Sequence, residues 1–200
     1  MASAVDICNL GLAHLGSDAQ VASIDPPDGS VEAGHCARFW PIVRAEVLAA
    51  GAWTFAKTRA TLAAVPNTSA SWLYAYGVPS NILNALRVLN GDAAALPIEW
   101  GGADFEIEGN VLFTNEPDAV LLYTQDVVDL SRYSAHCIAT LGYMMAAYLA
   151  GPLIKGAEGA RTGGTFRQAA TGLMAKALAL DANNSSEPAG TTSAAVQARA

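Results

Sequence analysis

The predicted fold follows from two stretches of the chain, RAEVLAAGAWTFAKTRATL at residues 44–62 and VLFTNEPDAVLLY at residues 111–123. The first stretch begins in a helical pattern that stops at Gly51, and from Trp53 the pattern changes. The second stretch holds two apolar runs on either side of a turn at residues 115–118, which is typical of strands. We therefore expect helices followed by a strand-rich region.

A β-hairpin is the clearest local signal in that region. FEIE at residues 105–108 and VLFT at residues 111–114 flank a Gly-Asn pair, the composition of a two-residue hairpin turn. Alternation along the first strand places Phe105 and Ile107 toward the core and the two glutamates toward solvent. Further strands are expected at residues 73–79 and 119–125.

Two helices are expected near the N-terminus, the first marked by capping signals. Ser3 and Asp6 have the spacing of a capping box, and Gly16 follows the last apolar residue of that helix, where a left-handed conformation is common. A second helix is expected from Ser30 to about residue 50, with Pro41 kinking or splitting it.

Two more helices are expected after the strands. The first runs from about residue 131 to about residue 150, where apolar residues recur at helical spacing. The glycine-rich residues 156–164 are interpreted as a flexible connection. Thr165 and Gln168 then have the spacing of a capping box for the last helix.

The predicted fold class is α+β: mainly an α-helical bundle with an inserted small antiparallel β region and a flexible C-terminal tail. The tail is expected to be flexible because it is rich in Asn, Ser, Thr, Ala and Gly and has almost no large apolar residue. The expected parts are residues 1–60 and 131–182 for the bundle, 61–130 for the strand-rich insertion and 183–200 for the C-terminal arm.

The chain carries little charge. Charged residues make up 14% of it, against a typical value of about 25%, and its formal net charge is -7. Much of the surface is therefore expected to lie against partners or copies of the same chain. Residues 133–154 hold no charged residue and are long enough to span a bilayer, but their Ala and Gly content favours a buried bundle helix, and no membrane partner is expected.

No motif predicts catalysis, a metal or a cofactor. Cys8, Cys36 and Cys137 are an odd number without the spacing of a zinc site, and they fit buried side chains in a reducing compartment. The glycine run lacks the order of a phosphate-binding loop, and the chain has no GxSxG or HExxH sequence. We therefore expect a protein that is not an enzyme.

A set of residues spread over about residues 4–155 forms a pattern in order and spacing. Its members are Asp6, Asn9, Phe39, Trp40, Arg44, Glu46, Leu48, Trp53, Phe55, Ala56, Tyr76, Pro79, residues 114–117 (TNEP), Tyr123 and the Ala-rich residues 147–152. With this pattern the chain resembles the head-to-tail adaptor family of tailed bacteriophages, often called tail tubular protein A. Family members often carry an Asp after the proline of the Pro79 turn, where this chain has Ser80 and Asn81.

The resemblance implies a subunit of a twelve-fold ring that joins the portal protein of a filled capsid to the tail or nozzle protein. In that family the helices build the ring wall, the inserted β region faces the tail, and double-stranded DNA passes through without specific binding. The protein would be made in the host cytoplasm and reside at the head–tail junction of the virion.

The C-terminal segment of such adaptors is commonly an arm that docks onto the portal and becomes ordered there. A polar, flexible segment suits this role, since it can fold on binding, although its composition also fits a solvated terminus without a role. The candidate arm residues are Asn183, Asn184, Ser185, Ser186, Thr191, Thr192, Val196, Gln197 and Arg199.

Acidic residues dominate the strand-rich region. Between Arg87 and Arg132 the chain has nine acidic residues and no Lys or Arg, the opposite of a DNA-gripping surface. We expect some of them to face the channel or the tail so that DNA passes without sticking; a merely solvated acidic face is the alternative. The candidates are Asp104, Glu106, Glu108, Glu116 and Asp118.

Five aromatic residues are candidates for the core or for contacts between subunits: Trp40, Trp53, Trp72, Tyr74 and Tyr76. The last three alternate as in a strand, which would place them on one face. Two other functions remain open. A tail-completion or tail-terminator protein is also a small ring subunit, and an unrelated soluble helical binding module would stay monomeric.

Overall fold

A computed structural model describes residues 2–91 and 102–183 of the chain. They form two compact units: residues 2–56 with 126–183 make up the helical unit, and residues 57–91 with 102–125 make up the β unit. The chain thus leaves the helical unit after Ala56 and returns to it at Asp126, whereas the sequence analysis divided the chain after residues 60 and 130.

Four α-helices form the helical unit within the described ranges. They are α1 (Ala4–His14), α2 (Val31–Ala49), α3 (Ala135–Leu153) and α4 (Gly156–Ala182), with a 3-10 turn at Leu130–Arg132 before α3. The central helix is α3, because α1, α2 and α4 all contact it and its Leu141, Met145 and Leu149 are fully buried. None of the helices in residues 2–91 and 102–183 has both the length and the apolar character that a bilayer crossing needs.

The predicted cap of α1 is confirmed, and α2 begins after Ser30 as expected. The Ser3 N–H donates to the Asp6 carboxylate at 2.8 Å, and the Asp6 N–H donates to Ser3 Oγ at 3.1 Å. Gly16 follows α1 with a φ of 72°. The hydroxyl oxygen of Ser30 accepts the N–H of Ala33 at 3.1 Å, so this residue caps α2.

Two other local predictions are wrong. Pro41 does not split α2, which continues through this exposed residue, while a kink at Pro41 stays a prediction. Thr165 does not cap a helix with Gln168, because it lies inside α4 and its hydroxyl donates to the carbonyl oxygen of Arg161 at 3.1 Å.

The glycines of residues 156–164 do not form a flexible connection, since α4 already begins at Gly156. A Cβ atom on Gly159 would lie 2.9 Å from the carbonyl oxygen of Ala150 in α3, and one on Gly163 would meet the α3 backbone equally closely. Glycine at these positions allows the backbones of α3 and α4 to approach each other. The prediction fails because glycine here serves helix packing.

Six strands form the β unit in the residues described. They are β1 (Lys57–Thr61), β2 (Tyr74–Gly77), β3 (Ile82–Leu89), β4 (Phe105–Glu108), β5 (Val111–Thr114) and β6 (Val120–Gln125). All pairings are antiparallel, in one sheet of order β1-β6-β3 and one of order β2-β5-β4. The predicted hairpin is confirmed as β4 and β5, with Gly109 at a φ of 62° in its turn.

One hydrophobic core lies between these two sheets. Tyr76 and Leu112 belong to the sheet that contains the hairpin, and Leu121 belongs to the other sheet, yet all three are buried in one cluster. Phe105 packs against this cluster as predicted. Ile107 was expected to be inward as well, but 37% of its surface stays exposed.

The fold class of a mainly helical bundle is wrong. The described residues are α+β, with four helices and two three-stranded sheets, and the sheets have a core of their own. Two strands, β1 and β3, were missed, and the predicted strand at residues 119–125 pairs with them rather than with the hairpin. Irregular pairing along β3 breaks its two-residue alternation, so the pattern that predicts strands is absent there.

Candidate functional surfaces

One carboxylate joins three helices of the helical unit. Glu46 of α2 accepts the hydroxyl of Tyr148 from α3 and the guanidinium of Arg167 from α4, each at 2.7 Å. The Arg167 guanidinium carbon also lies 5.1 Å from the centre of the Tyr148 ring, within reach of a cation–π contact. Glu46, one of the residues of the resemblance pattern, is therefore a joint between helices.

Two further residues of the pattern hold distant segments in place. Arg44 of α2 forms a two-pronged ion pair with Asp126, the first residue after β6, at 2.8 and 2.7 Å. Asn9 of α1 binds the backbone of Val21 twice: its amide donates to the carbonyl at 3.0 Å, and its oxygen accepts the N–H at 2.8 Å. Both contacts fix the path of the chain between helices.

The predicted aromatic residues of the helical unit, Trp40 and Trp53, lie in its core, with 8% and 0% of their surface exposed. The Trp53 indole N–H donates to the carbonyl oxygen of Val47 at 2.9 Å. The next residue, Thr54, donates its N–H and its hydroxyl to the buried carboxylate of Asp181 near the end of α4. The turn after α2 is thus tied to the last helix.

Tyr74 and Tyr76 share one face of β2 as predicted, but Trp72 does not belong to the strand. Tyr76 is buried in β2, and Tyr74 stacks on it with ring centres 6.3 Å apart while remaining 39% exposed. Trp72 precedes β2, and its indole N–H donates to the carboxylate of Glu106 at 3.0 Å. Trp72 therefore holds one of the candidate acids.

The turn formed by residues 114–117 (TNEP) connects three segments of the β unit. The Thr114 hydroxyl donates to the carbonyl oxygen of Asp104 at 2.8 Å, and the Asn115 side chain accepts the N–H of Leu73 at 3.0 Å. The Tyr76 hydroxyl donates to the carbonyl oxygen of Glu116 at 3.0 Å. These bonds anchor the ends of β2 and β4 to this turn.

The acidic stretch predicted from the sequence is divided between the two units. Asp126 and Asp129 belong to the helical unit, where Asp126 pairs with Arg44 and Asp129 caps the 3-10 turn. Asp92 and Glu99 lie outside the described residues. The five candidate acids are in the β unit: Asp104, Glu106, Glu108 and Asp118 are exposed, and Glu116 is half-buried.

A group of basic residues was missed by the sequence analysis. The β unit has three Lys and Arg residues in its sequence, Lys57, Arg59 and Arg87. Arg59 of β1 and Arg87 of β3 both stand opposite Leu122 of β6, and Lys57 is two residues from Arg59 on the same strand. All three therefore lie on one side of their sheet. The alternation of Lys57, Thr58 and Arg59 could have indicated a strand with its two basic side chains on one side.

Few contacts are defined for the remaining candidate residues. Asn183 is exposed at the end of α4, and the other candidate arm residues lie outside the described ranges. The three cysteines are buried and not disulfide-bonded, and burial raises the pKa of Cys137 to about 12. Across residues 2–91 and 102–183, no three His, Cys, Asp or Glu side chains are grouped so that they could hold a metal ion.

No protein family matches the chain, and no curated protein matches it either. Function is therefore inferred from the residues of the chain and from the contacts that they make.

Proposed function

We propose that this chain is a structural subunit of a ring-forming head-to-tail adaptor, which joins the portal protein to the tail of a bacteriophage virion. Its ring of twelve copies would leave a channel through which double-stranded DNA passes. The proposal starts from the resemblance in residues 4–155 and gains support from what those residues do in the fold.

The observation that carries the proposal is the position of the pattern residues. Arg44 and Glu46, two residues apart on α2, bind Asp126 and the pair of Tyr148 and Arg167. These residues of the pattern thus connect helices and segments that are distant in the sequence. A ring subunit depends on such joints, because each copy must present the same surfaces to its neighbours.

The order of the two units also agrees with the proposal. The β unit begins after Ala56 and ends before Asp126, so it is an insertion between helices, as the resemblance implies for the region that faces the tail. At the position where the resemblance expects an Asp, Asn81 accepts the hydroxyl of Tyr123 at 3.2 Å and bonds to Gln125 at 3.3 Å. Asn81 therefore also makes a local polar anchor.

The experiment that tests this function is native mass spectrometry of the chain mixed with the portal protein encoded in the same genome. The full chain is compared with a truncation that ends at Asn183. This truncation keeps Asp181 and its bonds to Thr54, so the fold keeps its contact between α4 and the turn after α2. A variant with a Gly-Ser segment of equal length in place of residues 184–200 controls for chain length.

Twelve copies of the full chain on a portal ring are expected, with loss of binding in both the truncation and the Gly-Ser variant. Binding that survives in both would keep the adaptor and remove the docking arm. Absence of binding by the full chain would exclude the adaptor function and favour a tail-completion protein or an unrelated binding module.

A further inference from the structure

One outer face of the β unit carries basic residues, although Thr124, opposite Lys57 on the same side, is fully buried. In the sheet β1-β6-β3, Ala60, Leu121 and Val88 lie on the side of the hydrophobic core. Side chains alternate along a strand, so Lys57 and Arg59 lie on the opposite side, together with Arg87. Arg59 is exposed, and within the described residues neither it nor Lys57 takes part in an ion pair.

The outer face of the other sheet is acidic at its edge strand β4, whereas Phe113 and Ala75 on the same side are buried. In the sheet β2-β5-β4, Tyr76, Leu112 and Phe105 lie on the core side, which puts Glu106 and Glu108 of β4 on the outside. Both glutamates are exposed, and Trp72 fixes the carboxylate of Glu106 through its indole N–H. The two sheets of one unit therefore present opposite charges on opposite sides.

The charged pairs on the two faces match in spacing. Lys57 and Arg59 are two residues apart on β1, and Glu106 and Glu108 are two residues apart on β4. Two residues along a strand correspond to about 7 Å, so each cation of one pair can meet one anion of the other. In addition, β1 and β4 are edge strands of their sheets within the described residues.

We propose that the basic outer face of β1-β6-β3 in one copy docks on the acidic outer face of β2-β5-β4 in a second copy. The two surfaces differ, so the contact is head-to-tail and repeats from copy to copy until a ring closes. This contact rests on the ring proposed above and names the surfaces that form it. It assigns Glu106 and Glu108 to the boundary between neighbours rather than to the channel.

A second copy is the occupant that the charges favour. A basic face can also bind nucleic acid, but the chain has a formal net charge of -7, which repels DNA, and it carries the complementary pair itself. Charges on outer strands can also serve only to prevent aggregation. In that case the wild type would form no defined assembly, so reversing the charges could neither weaken its association nor restore it.

Charge exchange tests the contact on the full chain in the absence of portal. Sedimentation equilibrium is measured for the wild type, for Lys57→Glu with Arg59→Glu, and for Glu106→Lys with Glu108→Lys. We expect the wild type to associate with increasing concentration at low salt and to dissociate in about 1 M salt, where the Debye length is about 3 Å. Each double variant alone should associate at least roughly tenfold more weakly, because like charges then face each other.

The decisive sample is an equimolar mixture of the two double variants. One variant is acidic on both faces and the other is basic on both, so unlike copies can pair and association should return to the wild-type level. Glu116→Lys, in a turn of the same unit, is the matched control and should associate like the wild type. Since Glu106 bonds Trp72, Glu108→Lys alone is also measured, with circular dichroism confirming that each variant is folded.

Three results would overturn the contact: a wild type that is monomeric at every concentration in low salt, a mixture that does not regain association, or loss of duplex-DNA binding instead of self-association in the basic-face variant. The portal experiment remains separate. Variants that still place twelve copies on the portal would keep the adaptor and reject this contact. A wild type that self-associates through these faces but ignores the portal would keep the contact and reject the adaptor.

Discussion

Arg44 and Asp126 form an ion pair with two parallel bonds, from Nε to Oδ1 at 2.8 Å and from Nη2 to Oδ2 at 2.7 Å. Their side chains are 14% and 30% exposed, so water screens the pair only in part. Asp126 is the residue at which the chain returns from the β unit, and Arg44 lies within α2. The pair therefore sets the point where the second half of the helical unit begins.

Asp126→Asn should lower the free energy of unfolding by about 1–3 kcal/mol, because the Arg44 guanidinium loses a charged partner with ideal geometry. Thermal or urea unfolding followed by circular dichroism measures the change. Glu158→Gln is the matched control: its pair with Arg161 is mostly exposed and screened by water, so breaking it should cost much less than breaking the Arg44–Asp126 pair. Equal effects of the two substitutions would contradict a structural role for the Arg44–Asp126 pair.

Gly159→Ala should destabilise the chain by about 1–3 kcal/mol. The added methyl group would lie 2.9 Å from the carbonyl oxygen of Ala150 and even closer to that of Ile154, and backbone atoms cannot move aside easily. Gly172→Ala in the same helix has open space at its Cβ and should stabilise by about 0.5–1 kcal/mol. The midpoint of thermal unfolding should thus shift in opposite directions, and a parallel shift would exclude close packing of α3 on α4.

Two of the local signals predicted local structure correctly. The Ser3–Asp6 capping box and the turn at Gly109 involve contacts over a few residues, and both are present. The run at residues 156–164 was misinterpreted because glycine has low helix propensity, while its use here depends on close contact with the backbone of α3, which propensity does not describe. Strand β3 was missed because its pairing is irregular.

The charged surfaces were harder to predict, since they depend on strand register. Read along the chain, the acids from Asp92 to Asp129 look like one cluster, but the fold divides them between the two units. Conversely, Arg59 and Arg87 are far apart in sequence and meet only because both strands pair with Leu122. The sequence shows these residues but does not show which strands pair with each other.

Acid should weaken the loop before α2 through Asp28. Its carboxylate accepts the Ser30 hydroxyl at 2.6 Å and the backbone N–H groups of Ser30 and Ala22 at 2.9 and 2.7 Å. The Ser30 side-chain bond, followed by the backbone bonds, lowers the pKa of Asp28 from 3.8 to about 2. A lowered pKa means that this carboxylate stabilises the fold above pH 3.8 and loses that contribution as the pH falls toward about 2.

Thermal unfolding of the wild type and of Asp28→Asn at a series of pH values measures this contribution. The wild type should lose more stability than the variant between pH 3.8 and about 2, and the two curves should run parallel at neutral pH. Parallel curves through the acidic range as well would mean that the Asp28 contacts do not form in solution.

The three thiols should react slowly while the chain is folded. Cys8, Cys36 and Cys137 are all buried, and burial raises the pKa of Cys137 from 9.0 to about 12, so its thiolate population at pH 8 falls about a thousandfold. Titration with a chromogenic disulfide reagent should detect three thiols promptly in denaturant and almost none in buffer. Prompt reaction of the native protein would show that the contacts of α3 with α1 and α2 open readily.

The central position of α3 has a consequence for synthesis of the chain. Helices α1 and α2 emerge from the ribosome first, but the helix against which both pack is translated only after the whole β unit. Residues such as Ile7 and Val43 therefore cannot be buried until α3 has been synthesised. The described strands of the β unit come from one continuous stretch of the chain, so all of them emerge before α3. The β unit is thus the part of this protein able to fold first, and the helical unit completes its packing last.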